Sequence, residues 1–528
     1  MGHHRRPGPP SRGTGSDPVP SRLFWLTIGL AAGVFVSSLA IPALQPEATL
    51  TISAGTAPGA PPARPTGAPD AATPGPDDII SGSSTDASSR VPGATTTASA
   101  AVERSAPGPD AGAPSPGPTA NPREEPAGGT EPGATANEEE TSEPIRIGIG
   151  VPELGALASL GPSFDFGDVG DHFRAIHEDW TERGLIPIDG REVVFHYRSY
   201  SLLSADEQRA ACVGWADDDH VTAVIALQYF FATDCLPAEK RIPLLMDTGL
   251  APRLMERSNP YLFTLSSDYG HLGRNWIHWA HRRGIISGKR LGLYSDESDT
   301  DGIATDVRET LSLLGYDLVE DVTTTEAVTG GPQDNVAAQR FAANDVEVAI
   351  LAVSSLAQTN FMHSAEASGY RPTYIGGDFF SGSTDTATET YPAAHYDGTF
   401  GMTTYRHGEL SSGIAPPREQ VECLDRYGRH SGRSVTHADR PAEWFVLTSG
   451  CDTAAVLLEG LQRATRPITK DSYVAGLEQI RDKPLGVTSN VTFTPLDHSG
   501  SQWQRTIQFH ADCVCWKVVD DFAPWFVE

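Results

Sequence analysis

The sequence predicts an α/β protein of two lobes, preceded by a membrane-spanning segment and a long linker. Three observations predict it. An uncharged run, Leu23 to Leu44, follows a short polar segment carrying Arg5, Arg6, Arg12 and Arg22. From about residue 45 to 143 the chain is Pro, Gly, Ala, Ser and Thr with scattered charge. From Ile145 onward apolar strands alternate with amphipathic helices, and the alternation starts again near Tyr269.

Residues 1–22 read as a basic cytoplasmic tail. Residues 23–44 are ~22 apolar positions, enough to cross the hydrocarbon core as a helix. The arginines before them keep the N-terminus in the cytoplasm. The run reads as an uncleaved anchor or as a signal segment cut after Ala40, where Ser38 and Ala40 are small. Both readings export the rest, as an extracellular domain on the cell membrane or as a secreted protein. Residues 45–143 bury too little apolar surface to offset their ordering entropy, which predicts a disordered, extended tether.

The folded part, 144–528, opens on the strand "IRIGIGV", followed by a helix with Phe173, Ile176 and Trp180 on one face. "EVVFHYRSY" is a strand. The helix after it begins on Ser204 with Glu207 in capping-box spacing. "VTAVIAL" and "IPLLMDTG" are buried strands. The second unit runs from the helix "YGHLGRNWIHWAHRRG" through the strands "RLGLYSDES", "VEVAILAVSS" and "PTYIGGDFF". The C-terminal part carries the long helix "PAEWFVLTSGCDTAAVLLEGLQRA" and ends in "NVTFTPL", "QRTIQFH" and "CWKVV", read as strands. By this order lobe 1 is about 144–267 with 400–485, and lobe 2 about 268–399 with 486–528.

A net charge of −29 argues against nucleic acid, which needs a basic stripe for its phosphates. Six cysteines all lie in the folded part, an even number in an exported chain, which suggests disulfides. Proximity favours Cys212 with Cys235 and Cys423 with Cys451, leaving Cys513 and Cys515. Gly148 and Gly150 are followed by Gly155, so the third glycine of a dinucleotide fingerprint is misplaced. No phosphate loop, nucleophile elbow or zinc-protease motif occurs. His278 and His281 lack a third ligand, and they read as polar positions on a surface helix. The sequence therefore implies no cofactor, no metal and no catalysis.

What remains are polar and aromatic residues just past the C-terminal ends of strands, where open α/β sheets bind ligands. In the first unit these are Phe164 and Phe166, then Gln228 to Phe231 with Tyr229 and Phe230, then Asp247 and Thr248. Asp268 follows at the passage to the second unit, which supplies Asp299, Ser354, Asp378 and Phe379. Aromatic walls, backbone amides at helix starts and a buried acid suit a small zwitterion, the amides taking its carboxylate and the acid its ammonium.

In order along its length, the folded part resembles the periplasmic binding proteins of the branched-chain amino-acid type, the solute receptors of ABC importers. The stretches that carry the resemblance are "IRIGIGVPELGALASLG", "GLIPIDGREVVFHYRSY", "IPLLMDTG", "PYLFTLSSDYG" and "GVTSNVTFTPLDHSG". The resemblance implies two α/β lobes joined by three crossings that close on a ligand by hinge motion. It implies delivery of the ligand to an importer permease, or use of the same fold as a membrane-tethered sensor or scaffold. It places Asp378 where such proteins hold an ammonium, and Phe164 or Phe166 over the ligand. Two departures stand out. Tyr229 and Phe230 replace a small Gly/Ser loop, and Asp247 stands where a carboxylate is usually received. The acid would repel a carboxylate and the bulky pair narrows the cleft, which points to an amide, a polyamine-like molecule or another ligand without a carboxylate, or to loss of binding.

Overall fold

A computed structural model describes residues 143–155, 157, 164–296, 302–325, 330–379 and 382–525. The expected anchor at 23–44, the linker at 45–143 and Asp299 lie outside them.

The first sheet is wholly parallel and collects β1 (Ile145–Glu153), β2 (Val193–Ser201), β3 (Ala223–Ala226), β4 (Leu244–Met246) and β5 (Leu262–Thr264), in the order β2-β1-β3-β4-β5. Ile145, Ile147 and Ile149 are buried in its core. The glycines between them serve packing. A Cβ on Gly148 would stand 2.8 Å from Trp215, and one on Gly150 2.9 Å from the Tyr200 hydroxyl. Three helices connect these strands: α1 (Val169–Glu182), α2 (Ala205–Val213) and α3 (Pro252–Ser258). Ser204 caps α2 by accepting from Glu207 N at 3.2 Å. The Glu207 carboxylate receives Ser201 N instead of completing the capping box.

The second sheet is built from α4 (Tyr269–Arg282), β6 (Leu291–Asp296), α5 (Ile303–Leu313), β7 (Leu318–Thr324), α6 (Pro332–Ala343), β8 (Val348–Ala352), α7 (Ser355–Ser368) and β9 (Thr373–Gly377). Two short helices, α8 (Asp385–Thr388) and α9 (Ala393–Tyr396), lead to β10 (Phe400–Thr403). The chain then returns to the first lobe as α10 (Arg418–Ser431), α11 (Pro441–Arg463), α12 (Lys470–Leu477), β11 (Lys483–Pro484) and β12 (Asn490–Val491). It ends in the second lobe as β13 (Trp503–His510), β14 (Cys515–Val518) and β15 (Ala523–Pro524). The second sheet runs β14-β13-β10-β9-β8-β6-β7, with β13 antiparallel to β10 and β14. Helix α11 is long and apolar enough to cross a membrane, yet most of it is buried, with Val446, Leu457 and Leu461 in the first lobe's core.

Two crossings fall elsewhere than the sequence order suggested. β10 pairs with β9, so residues 400–403 belong to the second sheet. Leu485, Val491 and Phe493 are buried in the first lobe's core, so the chain leaves that lobe near Ser501 and not near residue 486. The "NVTFTPL" stretch contributes only Asn490 and Val491 to a strand. The three crossings lie side by side. Ser266 O accepts from Ser501 N at 3.2 Å, and Ser266 Oγ meets Thr404 Oγ1 at 3.5 Å. All six cysteines pair, as Cys212–Cys235, Cys423–Cys451 and Cys513–Cys515.

Candidate ligand-binding cleft between the two lobes

The C-terminal ends of both sheets face a common cleft. From the first lobe, the chain leaving β1 brings Phe164 and Phe166, the end of β3 brings Gln228 and Phe230, and the end of β4 brings Asp247 and Thr248. From the second, the end of β8 brings Ser354 and Ser355, and the end of β9 brings Asp378. Parallel strands that diverge at a change of winding open such a crevice, and here two of them oppose.

The space divides in two. A cavity of about 180 Å³ is walled on the first-lobe side by Phe164, Phe166, Phe230, Trp444 and Phe445. A smaller cavity of about 30 Å³ shares Gln228, Phe230, Thr384, His407 and Phe445 with it and ends on Asp247 and Asp378. Trp444 and Phe445 open α11, where Glu443 fixes them. That carboxylate is fully buried and binds Arg433 at 2.8 Å, with His172 at 3.5 Å and Arg440 also in contact. Burial alone would raise its pKa, but the His172 hydrogen bond and the two guanidiniums outweigh it and hold the carboxyl at about 2.

The two acids differ. Asp247 is buried and accepts from Ser449 Oγ at 3.1 Å and, weakly, from Gln228 N at 3.4 Å. Among the described residues no cation offsets its burial, which pushes the carboxyl up to about 6. Asp378 is half-buried and receives three donors: Ser383 Oγ, Thr404 N at 2.6 Å and Thr404 Oγ1 at 3.0 Å. It thus ties the end of β9 to the crossing after β10. His407, on that crossing, tilts over Phe445 at 5.5 Å, and burial pushes its imidazole below the ordinary value. At the cleft edge His437 Nε2 of the first lobe meets Asp385 Oδ2 of the second at 2.8 Å.

Of the residues expected at the site, Phe164, Phe166, Phe230, Asp247, Thr248, Ser354 and Asp378 line the cleft. Three lie elsewhere. Tyr229 points the opposite way from Phe230, into a core beside Tyr200 and Trp215, with its hydroxyl donating to Gln208 O at 2.5 Å. Asp268 caps α4, accepting from His271 N at 2.9 Å and pairing with the His271 ring. Phe379 is buried against Tyr269 at 4.7 Å. Sequence reasoning missed Thr384, Asp385, His407, His437, Trp444 and Phe445. Thr384 and Asp385 stand at the start of α8, His407 on the second crossing, and His437, Trp444 and Phe445 before and at the start of the returning helix α11, and no strand-end pattern marks them. His278 and His281 lie on α4, and His281 Nδ1 meets the Tyr316 hydroxyl at 2.8 Å. Among the described residues no cluster of three or more His, Cys, Asp or Glu could hold a metal ion.

A family model described as periplasmic binding protein matches residues 144–510. Among solved structures the chain is similar to a branched chain amino acid ABC transporter protein from Thermus thermophilus with bound valine. There the TM-score is 0.56 at 16% identity, over 73% of this chain and 97% of that one. It is similar to a leucine binding protein from Thermotoga maritima, with a TM-score of 0.56 at 14% identity over 72% and 99% of the two chains. A third is an ABC transporter solute binding protein from Rhodopseudomonas palustris in complex with 3,4-dihydroxy benzoic acid. Its TM-score is 0.54 at 16% identity, over 72% and 97%. No curated protein matches the sequence.

Proposed function

We propose, for a chain that belongs to the periplasmic binding protein family, the role of an exported solute-binding protein that delivers its ligand to an ABC importer. It captures a small polar molecule, amino-acid-, amide- or polyamine-like, between its lobes, while residues 23–44 tether it to the membrane. The observation that carries this reading is the cleft itself. Two acids and an aromatic wall converge where the strand ends of both sheets face each other, beside three adjacent crossings that can act as a hinge. Ligand shape is read by the aromatic wall and ligand charge by the acids, and closure then excludes water from both.

A thermal-denaturation panel on the full chain tests this. A ligand at a hundred times its Kd stabilises the folded state by ~2.7 kcal/mol, a plain upward shift of the midpoint. Amino acids, amides, polyamines and simple amines form the panel. If no member moves the midpoint, the solute-binding reading is overturned.

A further inference from the structure

The chemistry of the cleft narrows the ligand further, provided that the solute-binding reading above holds. The larger cavity, about 180 Å³, is of the size that takes one ring. An apolar cavity of about 150 Å³ holds benzene. The smaller one, about 30 Å³, has room for a group no larger than a water or an ammonium. Size thus splits the ligand into a ring-sized apolar body and a compact head.

Charge decides what the head is. Among the described residues lining the two cavities there is no Lys or Arg, while Asp247 and Asp378 close the smaller one. Arg406 lines only an adjoining cavity and is held by Glu409 at 3.1 Å. The backbone amide placed to receive a carboxylate, Gln228 N, faces Asp247 Oδ1. A carboxylate head would meet two acids and no free cation. On the second-lobe side of the larger cavity Ser354 and Ser355 begin α7, but Ser354 Oγ accepts from Ala357 N, and Asp385 lines the same space. An anion gains nothing there either.

We propose that the cleft binds a primary arylalkylamine without a carboxylate, its ammonium between Asp247 and Asp378 and its ring against Phe230, Phe445 and Trp444. A buried, uncompensated carboxylate and an aromatic enclosure are the two features that stabilise an ammonium on an apolar stem. A quaternary ammonium is too large for the head cavity. A diamine would place its second charge among Phe164, Phe166 and Leu202, beside an Asp385 already paired with His437.

Burial holds the Asp247 carboxyl at about 6, so an arriving ammonium displaces a proton below that pH. The titratable groups facing Asp247 are Asp378 and His407 across the small cavity, with Tyr200 and Tyr405 beside it. Both tyrosines stay protonated because burial raises them further, and Tyr405 donates to Asp247 O at 2.9 Å.

The test is calorimetric titration of the full chain with 2-phenylethylamine, L-phenylalanine, L-leucine and putrescine at pH 7.5 and pH 5. The expected result is 2-phenylethylamine binding at least tenfold tighter than the other three, and weaker at pH 5 than at pH 7.5. Asp247→Asn should lose at least tenfold in affinity together with that pH dependence. The variant's unchanged circular dichroism would show that it folds, and the pH dependence of the wild-type chain tests the point without any variant. Equal or tighter binding of phenylalanine or leucine would overturn the amine assignment and leave the solute-binding reading standing. Tighter putrescine binding would overturn the single-ring assignment in the same way. Binding of 2-phenylethylamine that Asp247→Asn leaves unchanged would remove Asp247 from the site and with it the proposal.

Discussion

The two lobes share a winding and differ in almost everything hung on it. The first sheet runs β2-β1-β3-β4-β5 and the second contains β7-β6-β8-β9-β10, the same order, so both open a crevice at the same place. The first lobe stops there, while the second adds the antiparallel β13 and β14 at its edge. The first lobe faces the cleft with phenylalanines and a tryptophan, the second mainly with serines, threonines and aspartates. Equal winding with unequal lining means that topology sets where a ligand sits and the loops set which one. Cross-linking is unequal as well: two largely buried disulfides staple the first lobe, and one more exposed disulfide closes a turn in the second.

That inequality gives the largest expected effect. A disulfide stabilises chiefly by limiting the unfolded chain, more for longer loops. Cys212 and Cys235 are 23 residues apart, so on that account their bond contributes ~3 kcal/mol. Cys513 and Cys515 are 2 apart, worth ~1 kcal/mol on the same account. Paired alanine substitutions at each site, compared by denaturant midpoint, should therefore differ clearly. Equal losses would mean that the first lobe depends on its staples no more than the second.

The next effect sharpens the comparison at the aromatic wall. Glu443 anchors Trp444 and Phe445 to the first lobe, and no described acid does the same for a wall in the second. Glu443→Gln should cost ~2 kcal/mol of stability, the range of a hydrogen bond to a charged group. The pH dependence has a definite sign. The folded-state carboxyl is held near 2, below its unfolded value, so its contribution is complete above about pH 4.5 and is lost as pH falls toward 2. The gap between wild type and variant should be constant from pH 5 to 7 and shrink below 4.5 in thermal melts. A gap that widens on acidification would contradict the ion-pair account.

Much of this division was legible in the residues. "VTAVIAL" and "VEVAILAVSS" are too apolar for anything but buried strands, and the loops after them had to face outward from the strand ends. Phe164, Phe166, Phe230, Asp247 and Asp378 follow from that rule alone. Tyr229 shows its limit, because at a strand end one residue of phase decides between core and cleft. The crossings were less legible, since Leu485, Val491 and Phe493 declare their lobe only by packing into it. His407 and His437 carried no local signal because three separated segments create their surroundings.

The smallest effect concerns the joint between the lobes and not either lobe. His437 packs on Trp444 at 5.0 Å within the first lobe, and its Nε2 reaches Asp385 of the second. Both side chains are partly exposed, 25% and 20%, so the pair contributes at most ~1 kcal/mol. That contribution exists only when the lobes are close. With the hinge closure proposed above, it acts on the balance between open and closed forms, where ~1 kcal/mol is roughly a fivefold shift in population. His437→Phe keeps an aromatic ring beside Trp444 and removes the bridge. The midpoint without ligand should move little, ligand affinity should fall ~2–5-fold, and small-angle scattering should report a slightly larger radius of gyration. A lowered midpoint with unchanged affinity would place His437 among the supports of the first lobe. Closure would then be driven by the ligand, held against the aromatic wall and the two acids.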